Sequence, residues 1–206
     1  CAIFARILSF GKEEIGKKFF HNRIKNAIKK REALLKTTNS VRLIHSEADF
    51  LPGLIVDKYG DSLAIQINTA GMEVFRELIL STLKHLLNPS WIVEKSDENS
   101  REIEGLESRN GTLFGTPVQN FELSENELTF LVDIEDAQKT GFYLDQRKNR
   151  NLCASYIKEG NTVLDLCCNA GGFGIYALKS GAKECVFVDV SESAIAQTKA
   201  NLERNE

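Results

Sequence analysis

The stretch from Thr162 to Gly174 constrains this chain most. Thr162-Val163-Leu164-Asp165-Leu166 is an apolar run holding one acid; Cys167-Cys168-Asn169-Ala170-Gly171-Gly172-Phe173-Gly174 follows, and then a helical pattern. An apolar run closing on an acid and small residues ahead of a helix is the order of first strand, loop and helix in an α/β nucleotide-binding unit. A second apolar run, Cys185 to Val188, ends in Asp189, 24 residues past Asp165. That is about the distance at which such folds place an acid to hold a ribose hydroxyl.

The glycines stand in Asn-Ala-Gly-Gly-Phe-Gly, not in the G-x-G-x-x-G spacing that brings backbone against a pyrophosphate. A loop that drops this spacing and keeps the acid suits an adenosine ligand without phosphates, such as S-adenosylmethionine. The loop alone is equally read as a glycine-rich turn of any parallel sheet.

At 206 residues the chain can form one large or two modest domains, and 42% hydrophobic with 27% charged residues is an ordinary soluble globular composition. No apolar run approaches the roughly 18 residues of a membrane span. The opening Cys1-Ala2-Ile3-Phe4-Ala5-Arg6-Ile7-Leu8 has no basic leader and reads as a strand, not a signal peptide. A start on Cys in mid-strand and an end on a charged helix tail lead us to expect a chain cut at both ends. The five cysteines have no zinc spacing, and an odd count with an adjacent pair points to a reducing, cytoplasmic location. With three scattered histidines, no metal site is read. Charge is uneven: residues 1–36 hold 10 Lys+Arg against 3 acids (+7), and the rest hold 16 against 26 (−10), giving the net −3. A basic front on an acidic body is the asymmetry expected with a polyanionic partner.

In order, a helix is expected over Glu13–Lys36, with Phe20, Ile24, Ala27, Ile28, Leu34 and Leu35 inward and Lys18, Lys25, Lys29 and Lys36 in an outward row. That row is either a solvated face or a strip for RNA phosphate. Strands at 41–44, 54–57 and 63–67 follow, the last two as a hairpin around Tyr59-Gly60-Asp61-Ser62. A helix Met72–Leu87 with Val74 inward, a strand at Trp91–Glu94 with Trp91 in the core, a polar loop over 96–110 and a hairpin over 121–133 complete a central α+β unit. The boundary is placed at Asp136–Arg150, ahead of a helix Asn151–Lys158. There, aromatics beside Asp145, Gln146 and Arg147 suggest a ligand-facing role or aromatics packed on the sheet.

Four stretches give a family resemblance: Phe19-Phe20-x-x-Arg23-Ile24 with Ala27 and Arg31; Ser46-Glu47-Ala48-Asp49-x-Leu51-Pro52-Gly53-Leu54-x-Val56-Asp57-x-Tyr59-Gly60; Lys139-Thr140-Gly141-Phe142-Tyr143-Leu144-Asp145-Gln146-Arg147; and Asp165-Leu166-x-Cys168-Asn169-x-Gly171-Gly172-Phe173. In this order they resemble the ribosomal RNA large-subunit methyltransferase I family, AdoMet-dependent RNA cytosine-C5 methyltransferases. The resemblance implies an α/β fold. Residues 1–10 would be the last strand of a PUA RNA-binding domain, 11–137 a helix plus central α+β domain, and 138–206 the start of a class I, Rossmann-like methyltransferase domain.

Family chemistry adds a Cys thiolate to carbon 6 of cytosine so that carbon 5 can attack the methyl sulfonium. The resemblance puts that Cys beyond Glu206, so no residue here is assigned as catalytic. Cofactor contacts are expected from Asp165, Asn169, Gly171, Gly172 and Phe173, from Asp189 on the ribose, from Val190 or Ser191 beside the adenine, and from Tyr143, Gln146 and Arg147 on the far side. Ribosomal RNA is the expected partner, through the PUA domain and the basic helix 12–36; a homodimer stays open. A uridine-directed enzyme and a non-catalytic RNA- or nucleotide-binding module remain as alternatives, while a dinucleotide oxidoreductase lacks its glycine spacing.

Overall fold

The computed structural model describes residues 3, 5–135 and 141–206. These fall into two compact units, the first running to Gln119 and resuming at Asp133, the second made of Asn120–Val132 and Phe142–Glu206.

The first unit is a five-stranded sheet in sequential order: β1 (Ser40–His45), β2 (Leu54–Tyr59), β3 (Ser62–Ile67), β4 (Trp91–Lys95) and β5 (Asn110–Gly115). β2 and β3 form the expected hairpin, with Tyr59 opposite Ser62. β3 and β4 are parallel, so the chain must cross over between them. Helix α1 (Lys17–Arg31) lays Phe19, Phe20, Ile24 and Ala27 on this core.

The boundaries differ from expectation where local chemistry intervenes. Ile3 and Ala5–Phe10 form no strand, since a strand needs a neighbour to pair with; Cys1, Ala2 and Phe4 lie outside the described residues. Helix α1 starts only after Gly16 and ends at Arg31, with Leu34–Lys36 a separate 3₁₀ turn, which removes Lys36 from the lysine row. The expected helix Met72–Leu87 is two, α2 (Ala70–Val74) and α3 (Arg76–Leu87), broken at Phe75, and Val74 is 78% exposed instead of inward. Residues 96–110 hold α4 (Glu98–Ile103), started by the Asp97 carboxylate accepting from the Ser100 N–H. Its Arg101 is buried, donating to the Ile67 carbonyl and to Glu73. Trp91 is in the core as expected, its indole N–H donating to Thr112.

The second unit contains hairpin β6 (Phe121–Glu125) and β7 (Leu128–Val132), α5 (Arg147–Ser155), β8 (Thr162–Leu166), α6 (Gly172–Lys179), β9 (Glu184–Val188) and α7 (Glu192–Glu203). Helix α5 begins four residues before the expected start at Asn151. β8 and β9 are parallel, Leu166 opposite Val188. One face of the pair is packed, whereas Leu164, Leu166, Val186 and Val188 on the other are 44–64% exposed. No helix among the described residues is long and apolar enough to cross a membrane.

Sequence alone put the 121–133 hairpin in the central unit. It clusters instead with 142–206, and two contacts explain why. The buried Glu125 carboxylate is held by Arg147 and Arg150 of α5 and by the Tyr176 hydroxyl of α6. The open edge of β7 is matched by an amide ladder from α7 and the turn after it: Gln197 donates to the Leu131 carbonyl, Asn201 accepts from the Leu131 N–H, and Asn205 bonds both backbone groups of Thr129. Four residues of helix rise about 6 Å and two of strand about 6.7 Å, so the spacings agree.

Asn201 is fully buried and serves two backbone groups, the Leu131 N–H and the Ala170 carbonyl. Asn201→Ala would strand both, at about 1–3 kcal/mol each. We expect a loss of about 2 kcal/mol or more by urea denaturation with unchanged slope; a loss below about 0.5 kcal/mol would show the ladder to be idle.

Candidate functional site

The register Leu166↔Val188 brings Cys167 and Asp189 out side by side at the carboxyl end of the parallel pair. The loop between β8 and α6 turns through three left-handed residues, Cys167 (φ 58°), Asn169 (φ 48°) and Gly171 (φ 77°). Asn and Gly accept this conformation readily; Cys is the strained member. The loop is stitched from both sides. The Cys168 N–H donates to the Val188 carbonyl, the Thr198 hydroxyl to the Asn169 carbonyl, and the Asn201 amide to the Ala170 carbonyl. Thr198 and Asn201 are buried on α7, so that helix holds the loop's shape.

The two acids have different surroundings. Asp165 is 9% exposed and accepts from the Gly174 N–H at 2.8 Å. Burial pushes its pKa up, the Gly174 N–H opposes this, and the nearby Asp189 charge adds to the rise. Asp189 is half-buried and accepts from the Ser191 N–H at 3.0 Å through Oδ1 and the Asn169 N–H at 2.9 Å through Oδ2. These backbone donors hold its carboxyl below the ordinary range, with Ser191 the larger cause. Asp189 is therefore a fixed anion, and each oxygen keeps capacity for another donor. Val190, next to it, is fully exposed and apolar. An anionic acceptor pair beside an apolar surface has the chemistry of a nucleoside site: hydroxyls on one, a base on the other.

The glycines divide by role. A Cβ on Gly171 would lie 2.7 Å from Thr198 Cγ2, and one on Gly174 would lie 2.2 Å from Phe187, so both serve close packing of helix on strand and loop. Gly174 was not among the expected residues, although the third glycine of such loops commonly has this duty. A Cβ on Gly172 would sit 3.0 Å from Arg150 Cδ and 3.7 Å from Phe142. The junction therefore reaches the loop through Phe142 and Arg150, which were not among the expected cofactor contacts.

Asp165, Asn169, Gly171, Gly172, Phe173, Asp189 and Ser191 gather around this strand end. Ser191 caps α7, its hydroxyl accepting from the Ala194 N–H. The junction residues are occupied locally: Arg147 is buried on Glu125, the Tyr143 carbonyl accepts from Arg150, and Gln146 bonds Asp145 and Asn149. Lys139 and Thr140, part of the resemblance, lie outside the described residues. Glu125, Thr198 and Asn201 were missed because a lone acid in a hairpin and two polar residues in an amphipathic helix carry no local signal. Burial pushes the Cys168 thiol up and the Cys185 thiol up to about 11, so both are protonated at neutral pH. Among the described residues no cluster could hold a metal ion.

Residues 81–206 match the family described as S-adenosylmethionine-dependent methyltransferase. The chain is 45% identical to Ribosomal RNA large subunit methyltransferase I of Aeromonas hydrophila, over 98% of this chain and 52% of that protein. It thus spans about half the length of the curated relatives it matches. Among solved structures, a Streptococcus mutans protein described as a candidate SAM-dependent methyltransferase aligns with a TM-score of 0.84 at 25% identity, covering 97% of this chain and 52% of that one. A candidate methyltransferase complexed with SAH aligns equally well, TM-score 0.84 at 24% identity, over 97% and 51%.

The raised pKa of Asp165 has a measurable consequence. Because the folded value exceeds the unfolded one, its contribution to stability is fully present below about pH 4 and is lost as pH rises through the folded value. Asp165→Asn keeps an acceptor for the Gly174 N–H and removes the buried charge. We expect it to be at least as stable as the parent at pH 7 by urea midpoint, with the advantage gone near pH 3; a lower midpoint at pH 7 would contradict this.

Proposed function

The chain belongs to the S-adenosylmethionine-dependent methyltransferases, and on that premise we propose that it takes part in methyl transfer from S-adenosylmethionine to carbon 5 of a cytosine in large-subunit ribosomal RNA. The observation that carries the donor half is Asp189: an ionised carboxylate fixed by two backbone N–H groups, next to exposed Val190, at the carboxyl ends of parallel strands. In open α/β sheets that is where ligands bind. The acceptor half is supported by the curated relatives' shared name and by the four-stretch resemblance.

In this reading the donor supplies an electrophilic methyl group on a sulfonium. Asp189 accepts from both ribose hydroxyls, and Val190 offers an apolar surface to the adenine. The backbone of Asn169, Gly171, Gly172 and Phe173 lines the approach at the start of α6, where N–H groups favour the donor's carboxylate. Asp165 holds that helix start in place through Gly174. Tyr143, Gln146 and Arg147 approach from the junction, with Arg147 acting through its ion pair to Glu125. The exposed apolar face of β8 and β9 awaits further catalytic-domain elements, and the cytosine-reading residues and nucleophilic Cys belong to those. The protein acts in the cytoplasm, consistent with free Cys153, Cys167, Cys168 and Cys185.

Calorimetric titration of S-adenosylmethionine tests the donor site: Asp189→Ala is expected to weaken binding roughly tenfold or more, the loss of about one charge-assisted hydrogen bond. Unchanged affinity would remove Asp189 from the site. The acceptor is read by incubating the full-length protein with labelled donor and unmodified large-subunit RNA, then digesting to nucleosides. Label in 5-methylcytidine is expected; label in 5-methyluridine would move the assignment to uridine.

A further inference from the structure

Phe50 is exposed in an unusual way. It terminates the 3₁₀ turn Ser46–Asp49 with a left-handed backbone, φ 59°, a conformation uncommon for a bulky residue, and its side chain is 59% exposed. Glycine or asparagine would relieve the backbone, and a polar residue would suit the exposure. Outliers of this kind persist where the surroundings over-determine them, and here they do. Asp49, only 3% exposed, accepts both prongs of the Arg31 guanidinium at 2.7 Å, the Lys30 ammonium at 3.1 Å and the His45 N–H at 2.8 Å.

Two cations of α1 lie over the Phe50 ring, Arg23 at 5.0 Å and Lys30 at 5.8 Å from its centroid. They are seven residues apart on the helix, two turns, so both project toward the ring from the same side of α1. Arg23 also lies 4.9 Å over the buried Phe19 and donates to the Leu8 carbonyl, which fixes its position. Asp49 is shared between Arg31 and Lys30, and the exposed Glu47 is partly offset by Arg6 at 3.9 Å. The local balance is positive, and Lys18, Lys25 and Lys29 extend it on the adjoining helix face.

We propose that the exposed ring of Phe50, with Arg23 and Lys30 packed against it, is a platform for single-stranded RNA on whose solvent side one unpaired base stacks while the two cations take the adjoining phosphates. An exposed aromatic ring with cations beside it is the recurring solution for unpaired strands. This site lies in the first unit, and it rests on the RNA reading above while being testable without methyl transfer.

The test uses Phe50→Trp, Phe50→Asn and Arg23→Gln/Lys30→Gln in the full protein. The sole native tryptophan, Trp91, is fully buried, so the new indole reports locally. A fluorescein-labelled ten-nucleotide oligouridylate is expected to quench it, and inorganic polyphosphate of matched charge is not. Phe50→Asn, which suits the left-handed backbone, should fold at least as stably and bind the oligonucleotide about tenfold more weakly by anisotropy; the double variant should lose affinity and salt dependence together. Unchanged affinity in Phe50→Asn, no quenching by RNA, or equal quenching by polyphosphate or anionic vesicles would overturn the platform. If S-adenosylmethionine fails to bind while RNA still quenches, the donor reading fails and the platform stands.

Discussion

The second unit depends on the burial of one charge. Glu125 has no exposed surface, and an isolated carboxylate in such a place is costly unless paired and hydrogen-bonded. Its pairing recruits the parts of the unit. Arg147 and Arg150 come from α5 and Tyr176 from α6, and the hairpin brings Glu125 itself. Asn126 donates to the Tyr176 oxygen, and Phe142 lies under the Arg150 guanidinium at 4.6 Å. Burial first, and then the Glu125 carboxylate, pushes the Tyr176 hydroxyl well above its ordinary pKa, so the phenol remains a donor. Arg150 and Phe142 then stand against Gly172, carrying the position of this hub to the first residue of α6. A loop described by its glycines is thus held by a carboxylate more than forty residues earlier in sequence.

The first unit repeats this logic with different residues. Arg76 bridges Glu73 and Glu94, Arg101 joins Glu73, and Ser96 completes Glu94. The Arg76 hydrogen bonds hold the Glu73 carboxyl down to about 2, against the opposing effect of burial. In each unit a buried acid is made tolerable by arginines from distant segments, which orders connections that apolar packing alone leaves loose.

Periodicity made much of the fold legible. Alternation gave both hairpins and β4, and the apolar runs at 162–166 and 185–188 gave the parallel pair within a residue. Legibility ended where side chains from afar decide. Residues 98–103 look like a polar loop, yet Asp97 caps a helix there and Arg101 anchors it. Nothing local to Phe121–Val132 says which unit it joins; Glu125 and the amides of α7 decide that. At the site, Asp165 and Asp189 were readable as strand-end acids because their spacing is a backbone property. Thr198 and Asn201, which shape the loop between them, were not, because their role exists only once α7 has packed.

The ladder of Gln197, Asn201 and Asn205 along β7 is built from uncharged amides. The hairpin is therefore gripped twice, by ion pairs at Glu125 and by neutral groups along Thr129 and Leu131. The first grip holds only while both arginines keep their place on the carboxylate, and the second needs no charge at all.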